Sequence, residues 1–181
     1  TMADPHYTGR ATVPVLWDKK RKTIVNNESS DIVRMLNSGF GALASSDIDL
    51  YPAALSVEID QLNDEIYPKL NNGVYRAGFA TTQVSYEEAY HEVFTMLQTL
   101  ETRLGDGRPF LLGSQFTEAD IRLFVTLIRF DAAYHGIFKC NFRQLREYPH
   151  LNSYVKRILD IPGIRSTVNI DHIKQGYYSI K

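Results

Sequence analysis

The sequence has little cysteine, little excess charge of either sign and no long apolar run. Its single cysteine, Cys140, excludes a disulfide framework and any structural zinc site built on cysteines. Twenty basic residues stand against twenty-one acidic ones, and a net charge of −1 gives no electrostatic reason to expect nucleic acid or an anionic membrane as a partner. The most apolar stretch, 121–130, is interrupted by Arg122 and Arg129, and a bilayer span needs roughly 20 apolar residues.

What is present is typical of a folded soluble domain. Hydrophobic residues make up 44% of the 181 and charged residues 23%, values that exclude long disorder and a fibrous architecture. Residues 1–10 lack the apolar core of a signal peptide, and a single thiol suits a reducing compartment. We therefore expect a cytoplasmic protein that contains one domain, or one domain and part of another.

Residues 1–40 differ in character from the rest of the chain. The β-branched, apolar segment 11–17 predicts a strand, the charged segment 18–22 a hairpin turn, and 23–25 a second strand. Acidic and hydroxyl residues at 28–31 then predict the start of a helix, because such side chains favour a helix N-terminus. A hairpin followed by one helix amounts to about half of a small α/β domain.

The remaining residues, 41–181, are predicted to be helical after a polar connector at 38–52, which we interpret as a domain boundary. Apolar residues recur there at helical spacing, and the shorter segments begin at a proline, which suits a first helical turn. The predicted helices cover 55–66, 86–104, 117–134, 149–159 and 162–168.

Two features could take part in chemistry, but we interpret both as structural. Thr117-Glu-Ala-Asp120 forms a capping box, in which each end of the motif bonds the backbone of the other. Cys140 is interpreted as a small buried apolar residue, because no histidine is placed by the sequence to activate it. The five histidines show no metal-ligand spacing, and we predict no metal site.

Two other features leave alternatives open. Glu28 and Ser29 can cap a helix, or they can hold the carboxylate and ammonium groups of an α-amino acid at the helix N-terminus. The eleven tyrosines can pack a core with their hydroxyls at the surface, or they can line a pocket for a flat phenolic molecule.

Specific residues resemble the glutathione transferases, whose domain order is a thioredoxin-like domain, a connector and an all-helical domain. Val13-Pro14 followed by Glu28-Ser29 resembles the glutathione-binding half of that family, and Thr117-Glu-Ala-Asp120 resembles the capping box of its helical domain. Further stretches resemble the glutathionyl-hydroquinone reductases, the omega-like Xi class of glutathione transferases. These stretches are 71–80 (NNGVYRAGFA), 129–131 (RFD) with 138–140 (FKC), and 162–164 (PGI) with 169–173 (NIDHI).

The resemblance implies a mainly α fold. Residues 41–181 would form the all-helical glutathione-transferase C-terminal domain, and residues 1–40 the C-terminal half of a thioredoxin-like α/β domain. Glutathione is implied as co-substrate, with the backbone of Val13 beside a cis Pro14 holding its cysteinyl part. Glu28 and Ser29 are implied to bind its γ-glutamyl end.

The resemblance also implies a substrate pocket and a reaction. Tyr75, Tyr134 and Tyr177 are expected to line an aromatic pocket, in which the hydroxyls of Tyr75 and Tyr177 support catalysis by stabilising a phenolate or enone oxygen. In this family a cysteine takes glutathione from a glutathionyl-hydroquinone as a mixed disulfide and frees the hydroquinone. A second glutathione then releases oxidised glutathione. A homodimer formed through the helical domain is expected, with glutathione and aromatic glutathionyl conjugates as ligands.

The chain departs from the family at the nucleophile. The family's cysteine lies in a Cys-Pro-Trp motif, which is absent here, and the sole tryptophan is Trp17. Cys140 lies in the helical part and cannot take that role. We therefore expect the chain alone to be inactive and to lack an N-terminal segment. The alternative is a non-catalytic helical module for assembly or ligand binding; an intact mass well above 20.7 kDa for the source protein would favour the enzyme.

Overall fold

The computed structural model describes residues 3–9, 12–43 and 48–179. The chain divides into two compact units, Thr1–Pro52 and Ala53–Lys181. The division falls at the end of the connector at 38–52 rather than near residue 40, and residue 11 and residues 44–47 lie outside the described part. The assignment of these units to two glutathione-transferase domains stays a prediction.

The first unit begins with a β-hairpin. Strand β1, Leu16–Asp18, pairs antiparallel with strand β2, Thr23–Asn26, and the register is irregular between Leu16 and Trp17. The Asp18 carboxylate accepts the backbone N–H groups of Lys20 and Arg21 at 2.8 Å each, which closes the turn. The first strand is shorter than predicted, because Pro14 has no N–H to give to a ladder.

A short helix follows the hairpin. Helix α1, Ser29–Arg34, is capped by Glu28 and continues as a wider π-helical turn, Met35–Gly39. Asn37 in that turn donates to the Asp49 carboxylate and accepts the backbone N–H of Leu50, at 2.9 and 2.8 Å. These bonds hold the last part of the unit against the helix.

No side chain in the described part of the first unit is fully buried. Apolar side chains of the hairpin and helix remain open, with Val25 52% and Leu36 62% exposed. A two-stranded hairpin and one short helix offer too little apolar surface to form a core between them.

The second unit is all-helical in its described residues. The α-helices, in chain order, are α2 (Ser56–Ile66), α3 (Gly73–Gly78), α4 (Gln83–Leu104), α5 (Glu118–Arg129), α6 (His135–Ile137), α7 (Pro149–Leu159) and α8 (Ile170–Tyr178). Wider π-helical turns, Tyr67–Asn71 and Phe130–Tyr134, directly follow α2 and α5. Single 3₁₀ turns occupy Leu145–Glu147 and Arg165–Thr167. No helix of the described residues is long and apolar enough to cross a membrane.

The core of this unit forms where α4 and α5 pack against α2, α3 and α7. Its largest fully buried side chains are aromatic and aliphatic: Tyr148, Tyr154, Phe130, Ile59, Ile66, Leu70, Leu97, Leu100, Leu111, Leu123, Leu127 and Leu151. Such close packing of apolar side chains is what fixes the helices relative to one another.

Two buried carboxylates join helices within the core. Asp120 closes the predicted capping box with Thr117, and it also accepts the backbone N–H of Leu111 at 2.9 Å and the hydroxyl of Tyr154 at 2.8 Å. Burial raises the pKa of Asp120, and these hydrogen bonds oppose that effect. On α4, Glu101 accepts the backbone N–H groups of His150 and Leu151 at 3.0 and 2.8 Å, and so caps α7 from the side.

The predicted helices mostly agree with the structure, and one was wrong. Segment 162–168 is not an α-helix: Gly163 has a φ of +88°, which breaks the helical path, and only a 3₁₀ turn follows. The predicted helix 117–134 keeps α-helical bonding to Arg129 and then widens into the π-helical turn. The last helix, α8, had no predicted bounds.

Candidate functional site

Three tyrosine hydroxyls meet in the second unit. The Tyr75 and Tyr177 oxygens are 2.5 Å apart, those of Tyr134 and Tyr177 2.9 Å, and those of Tyr75 and Tyr134 3.3 Å. O–H···O bonds usually measure 2.5–3.0 Å, so Tyr177 bonds both partners well while the third contact is long. We call these three residues the tyrosine trio; they are the three that the resemblance assigned to one pocket.

The helices bring the trio together from distant parts of the chain. Tyr75 lies on α3, Tyr134 ends the turn after α5, and Tyr177 lies in the last turn of α8. Tyr75 and Tyr177 are 102 residues apart in sequence. Tyr134 is only 2% exposed, whereas Tyr75 and Tyr177 are partly open.

The hydroxyls of Tyr134 and Tyr177 keep their protons at neutral pH. Burial, with the hydrogen bonds from the other two tyrosines, raises the pKa of Tyr134 well above its usual range. Burial raises the pKa of Tyr177 to about 12, although the nearby Arg129 cation opposes the shift. Tyr134 and Tyr177 are therefore neutral hydroxyls that can donate hydrogen bonds.

The number of hydroxyl protons limits how many hydrogen bonds the trio can donate to a ligand. Three hydroxyls joined by two good hydrogen bonds use two of their three protons, which leaves one O–H for an outside acceptor. Because Tyr134 is buried, its proton must be used inside the trio, and one order that satisfies it runs from Tyr134 to Tyr177 to Tyr75. In that order the free donor belongs to Tyr75, which is partly exposed.

Two aromatic residues that sequence reasoning did not place in the site lie against the trio. The ring centroid of Phe138 lies 5.3 Å from that of Tyr75 and 5.5 Å from that of Tyr134. Phe79 stacks on Tyr75 at 6.4 Å and contacts Phe138 at 5.3 Å. Each follows its tyrosine by four residues, one helical turn, and that spacing was the available signal.

The other predicted site residues lie in the first unit. The Val13–Pro14 peptide bond is cis, as the resemblance implied, and Val13 is 91% exposed. Asn27 donates to the Thr12 hydroxyl at 3.0 Å. This bond ties the residue before Glu28 to the residue before Val13, so the two predicted binding segments are neighbours.

Glu28 and Ser29 act together at the start of α1. The Glu28 carboxylate lies 3.5 Å from both the Ser29 hydroxyl and the Ser30 backbone N–H, and 3.4 Å from the Ser30 hydroxyl. The backbone N–H of Glu28 donates to Asn26 at 2.6 Å. The carboxylate contacts are long and exposed, so a ligand cation could take their place at little cost. The cap and the binding interpretations remain compatible.

Cys140 lies buried in the second unit. It is fully buried, its sulfur lies 3.9 Å from the Phe138 carbonyl oxygen, and burial raises its pKa to about 12. A reactive cysteine needs thiolate character and access, and Cys140 has neither. Among the described residues, no group of three or more His, Cys, Asp or Glu side chains could hold a metal ion.

Comparison with known proteins identifies relatives over nearly the whole chain. The glutathione S-transferase C-terminal domain profile matches residues 83–157. Glutathionyl-hydroquinone reductase PcpF of Sphingobium chlorophenolicum is 53% identical over 178 residues, which cover 98% of this chain and 56% of PcpF. YqjG of Escherichia coli, named as the same enzyme, is also 53% identical, over 97% of this chain and 53% of YqjG. The chain thus spans about half the length of the curated relatives it matches.

Solved structures give the same relationship. The glutathione-bound structure of YqjG superposes with a TM-score of 0.93 at 53% identity, over 97% of this chain and 57% of that one. The Xi glutathione transferase of Phanerochaete chrysosporium superposes with a TM-score of 0.93 at 49% identity, over the same two shares. The chain is therefore a homologue of the Xi-class glutathione transferases and glutathionyl-hydroquinone reductases, and its residues 83–157 match the glutathione S-transferase C-terminal domain.

Proposed function

We propose that this chain is the part of a glutathione-dependent reductase that holds a glutathionyl-hydroquinone and stabilises its oxygen during release of the hydroquinone. The observation that carries the proposal is the meeting of the three tyrosine hydroxyls, two of which belong to partly exposed residues. The E. coli relative bound to glutathione supports glutathione as co-substrate. The names of the relatives support the hydroquinone conjugate as substrate.

Each predicted site residue then has a role. The backbone of Val13, beside the cis Pro14, would pair with the cysteinyl part of glutathione, because Val13 is exposed and lies outside the strand ladder. Glu28 and Ser29 would hold the γ-glutamyl end through charge-assisted bonds.

The tyrosines would act on the other half of the substrate. Tyr75 would donate a hydrogen bond to the hydroquinone oxygen. Tyr177 would donate to the Tyr75 hydroxyl, and Tyr134 would donate to the Tyr177 hydroxyl. A neutral donor aimed at a developing phenolate stabilises it more than it stabilises the starting phenol, and that difference accelerates the reaction.

The nucleophile would come from outside this chain. Thioether cleavage needs a thiolate, and the buried thiol of Cys140 does not supply one. The same observation favours, for the chain taken alone, the second candidate function: a non-catalytic module that binds ligand or assembles. A homodimer formed through the helical unit belongs to both candidates, and light scattering at twice the 20.7 kDa mass tests it.

Two measurements separate the candidates. The probe is S-(2,5-dihydroxyphenyl)glutathione, a glutathionyl-hydroquinone, and its affinity for the chain is measured by isothermal titration calorimetry. Turnover with added glutathione is then compared between the chain alone and the chain fused to the part of YqjG that lies outside the aligned region. Binding by the chain with turnover only in the fusion supports the reductase. Absence of turnover in a folded fusion that binds the probe favours the module.

A further inference from the structure

One ring, that of Phe138, contacts every member of the tyrosine trio. It stacks on Tyr134, with an interplanar angle of 16°, and meets Tyr75 and Tyr177 edge-on at centroid distances of 5.3 and 5.8 Å. Phe138 is 4% exposed, so protein surrounds it. A ring with contacts on three sides restricts the positions of all three phenols.

Gly78 lies directly against this ring. A Cβ at position 78 would fall 2.3 Å from Cγ, 2.4 Å from Cδ1 and 2.8 Å from Cβ of Phe138. These are atoms near the Phe138 backbone rather than the far end of a flexible side chain, so they could not move aside cheaply. Only glycine permits this approach, and the reason is space rather than backbone conformation.

The contact between Gly78 and Phe138 joins the segment that carries Tyr75 to the segment that carries Tyr134. Tyr75 lies three residues before Gly78 on α3, and Tyr134 lies four residues before Phe138. The separation of α3 from the segment around α6 is therefore set where Gly78 meets Phe138. The hydroxyls of Tyr75 and Tyr134, which these two segments carry, lie 3.3 Å apart.

We propose that Gly78 and Phe138 are positioning residues for the tyrosine trio: the missing side chain at Gly78 admits the Phe138 ring, and the ring holds the three hydroxyls at bonding distance. The importance of this for catalysis rests on the proposed function, but the positioning itself does not. Neither residue would touch the reacting oxygen.

The test compares Gly78→Ala with a matched control, Gly176→Ala. Gly176 lies on α8 beside Tyr177, and a Cβ there would meet nothing within 4 Å. Alanine favours a helix over glycine at either position, so propensity alone predicts no harm from either change. The readout is hydroxyl proton exchange, followed by the H/D isotope shift on the Cζ carbons of ¹³C-labelled tyrosine. Resonances are assigned with Tyr→Phe variants.

We expect Gly78→Ala to accelerate hydroxyl exchange in the trio about tenfold, as for the loss of one hydrogen bond, and Gly176→Ala to leave it unchanged. Tyr154 is the internal reference, because its hydroxyl is bonded to Asp120 in another part of the core. Faster exchange at the trio with unchanged exchange at Tyr154 supports positioning. Equal acceleration at both sites would mean general destabilisation and would overturn the proposal, as would no acceleration at the trio.

A second variant keeps the proposal testable if Gly78→Ala does not fold. Phe138→Leu retains an apolar side chain but removes the flat ring, and we expect the same selective acceleration at the trio. Unchanged exchange in a folded Phe138→Leu would contradict the proposal. Affinity for S-(2,5-dihydroxyphenyl)glutathione, measured in parallel, tests the proposed function separately. Failure of the unsubstituted chain to bind this probe would oppose the substrate assignment, while the exchange data would still decide the positioning.

Discussion

Among single residues, Tyr75 and Tyr134 carry the same hydroxyl in different surroundings, and this predicts different effects of its removal. Tyr75→Phe should lower the affinity for S-(2,5-dihydroxyphenyl)glutathione about threefold to tenfold, as for one lost hydrogen bond. The melting temperature should change little, because Tyr177, which loses its bond to Tyr75, is partly exposed and can bond water instead. Tyr134→Phe should instead cost about 0.5–1.5 kcal/mol of stability, because its hydroxyl bonds only inside the protein. Calorimetric titration and thermal unfolding of both variants check this. Equal effects of both substitutions on affinity would contradict the proposed order of donors.

Glu28 gives a second prediction at the residue scale. In the fusion protein with the YqjG segment, Glu28→Ala should raise the KM for glutathione about tenfold to a hundredfold, because a hydrogen bond to a charged group contributes about 1.5–3 kcal/mol. Glu88→Ala, an exposed change on α4, is the control. Steady-state kinetics at varied glutathione measure the effect. An unchanged KM in a folded variant would leave Glu28 as a helix cap alone.

Among the helices, α4 is joined to the start of α7 by hydrogen bonds to one carboxylate, that of Glu101. Glu101→Ala would leave the first-turn N–H groups of His150 and Leu151 without their acceptor, at a cost of about 1–3 kcal/mol. Urea unfolding should show a lower midpoint with an unchanged slope. Glu88→Ala on the same helix serves again as control, and an equal midpoint for both variants would show that solvent replaces the cap.

The helices could be predicted where the apolar spacing was regular. Segment 149–159 matches α7 in full, and the capping box fixed the start of α5 at Glu118. The helix predicted at 162–168 was wrong because Pro162 suits a helix start, whereas Gly163, the next residue, has a positive φ that breaks the helix. The π-helical turn Phe130–Tyr134 leaves no mark in apolar spacing, because a wider turn moves side chains by less than one position.

The site could be predicted only in part, because its contacts are long-range. Nothing in local spacing joins Tyr75 to Tyr177, and only the resemblance brought them to one pocket. The exposure that separates Tyr134 from its two partners depends on how α3, α8 and the turn after α5 pack. The role of Phe138 likewise appears only when the approach of Gly78 is measured.

For the whole molecule, the prediction concerns what the chain does alone. It should show no glutathione-dependent reduction of glutathionyl-hydroquinones, because its one thiol is buried and protonated. Cys140→Ser should leave both this absence and the activity of the fusion protein unchanged. Release of hydroquinone, followed by chromatography, gives the measurement. Turnover by the chain that disappears in Cys140→Ser would show that Cys140 is a nucleophile after all.

The four hydrogen bonds around Asp120 have a consequence for how the chain refolds. Two come from Thr117, and the others connect Leu111, nine residues earlier, with Tyr154, thirty-four residues later. One carboxylate thus closes two loops, as a covalent cross-link would. A disulfide would also restrict the unfolded chain and would need the correct thiol to pair. The carboxylate cross-link exists only in the native state and dissolves completely on unfolding. This cross-link can therefore open and reform in a reducing environment without an oxidant, a disulfide isomerase or a mispaired thiol.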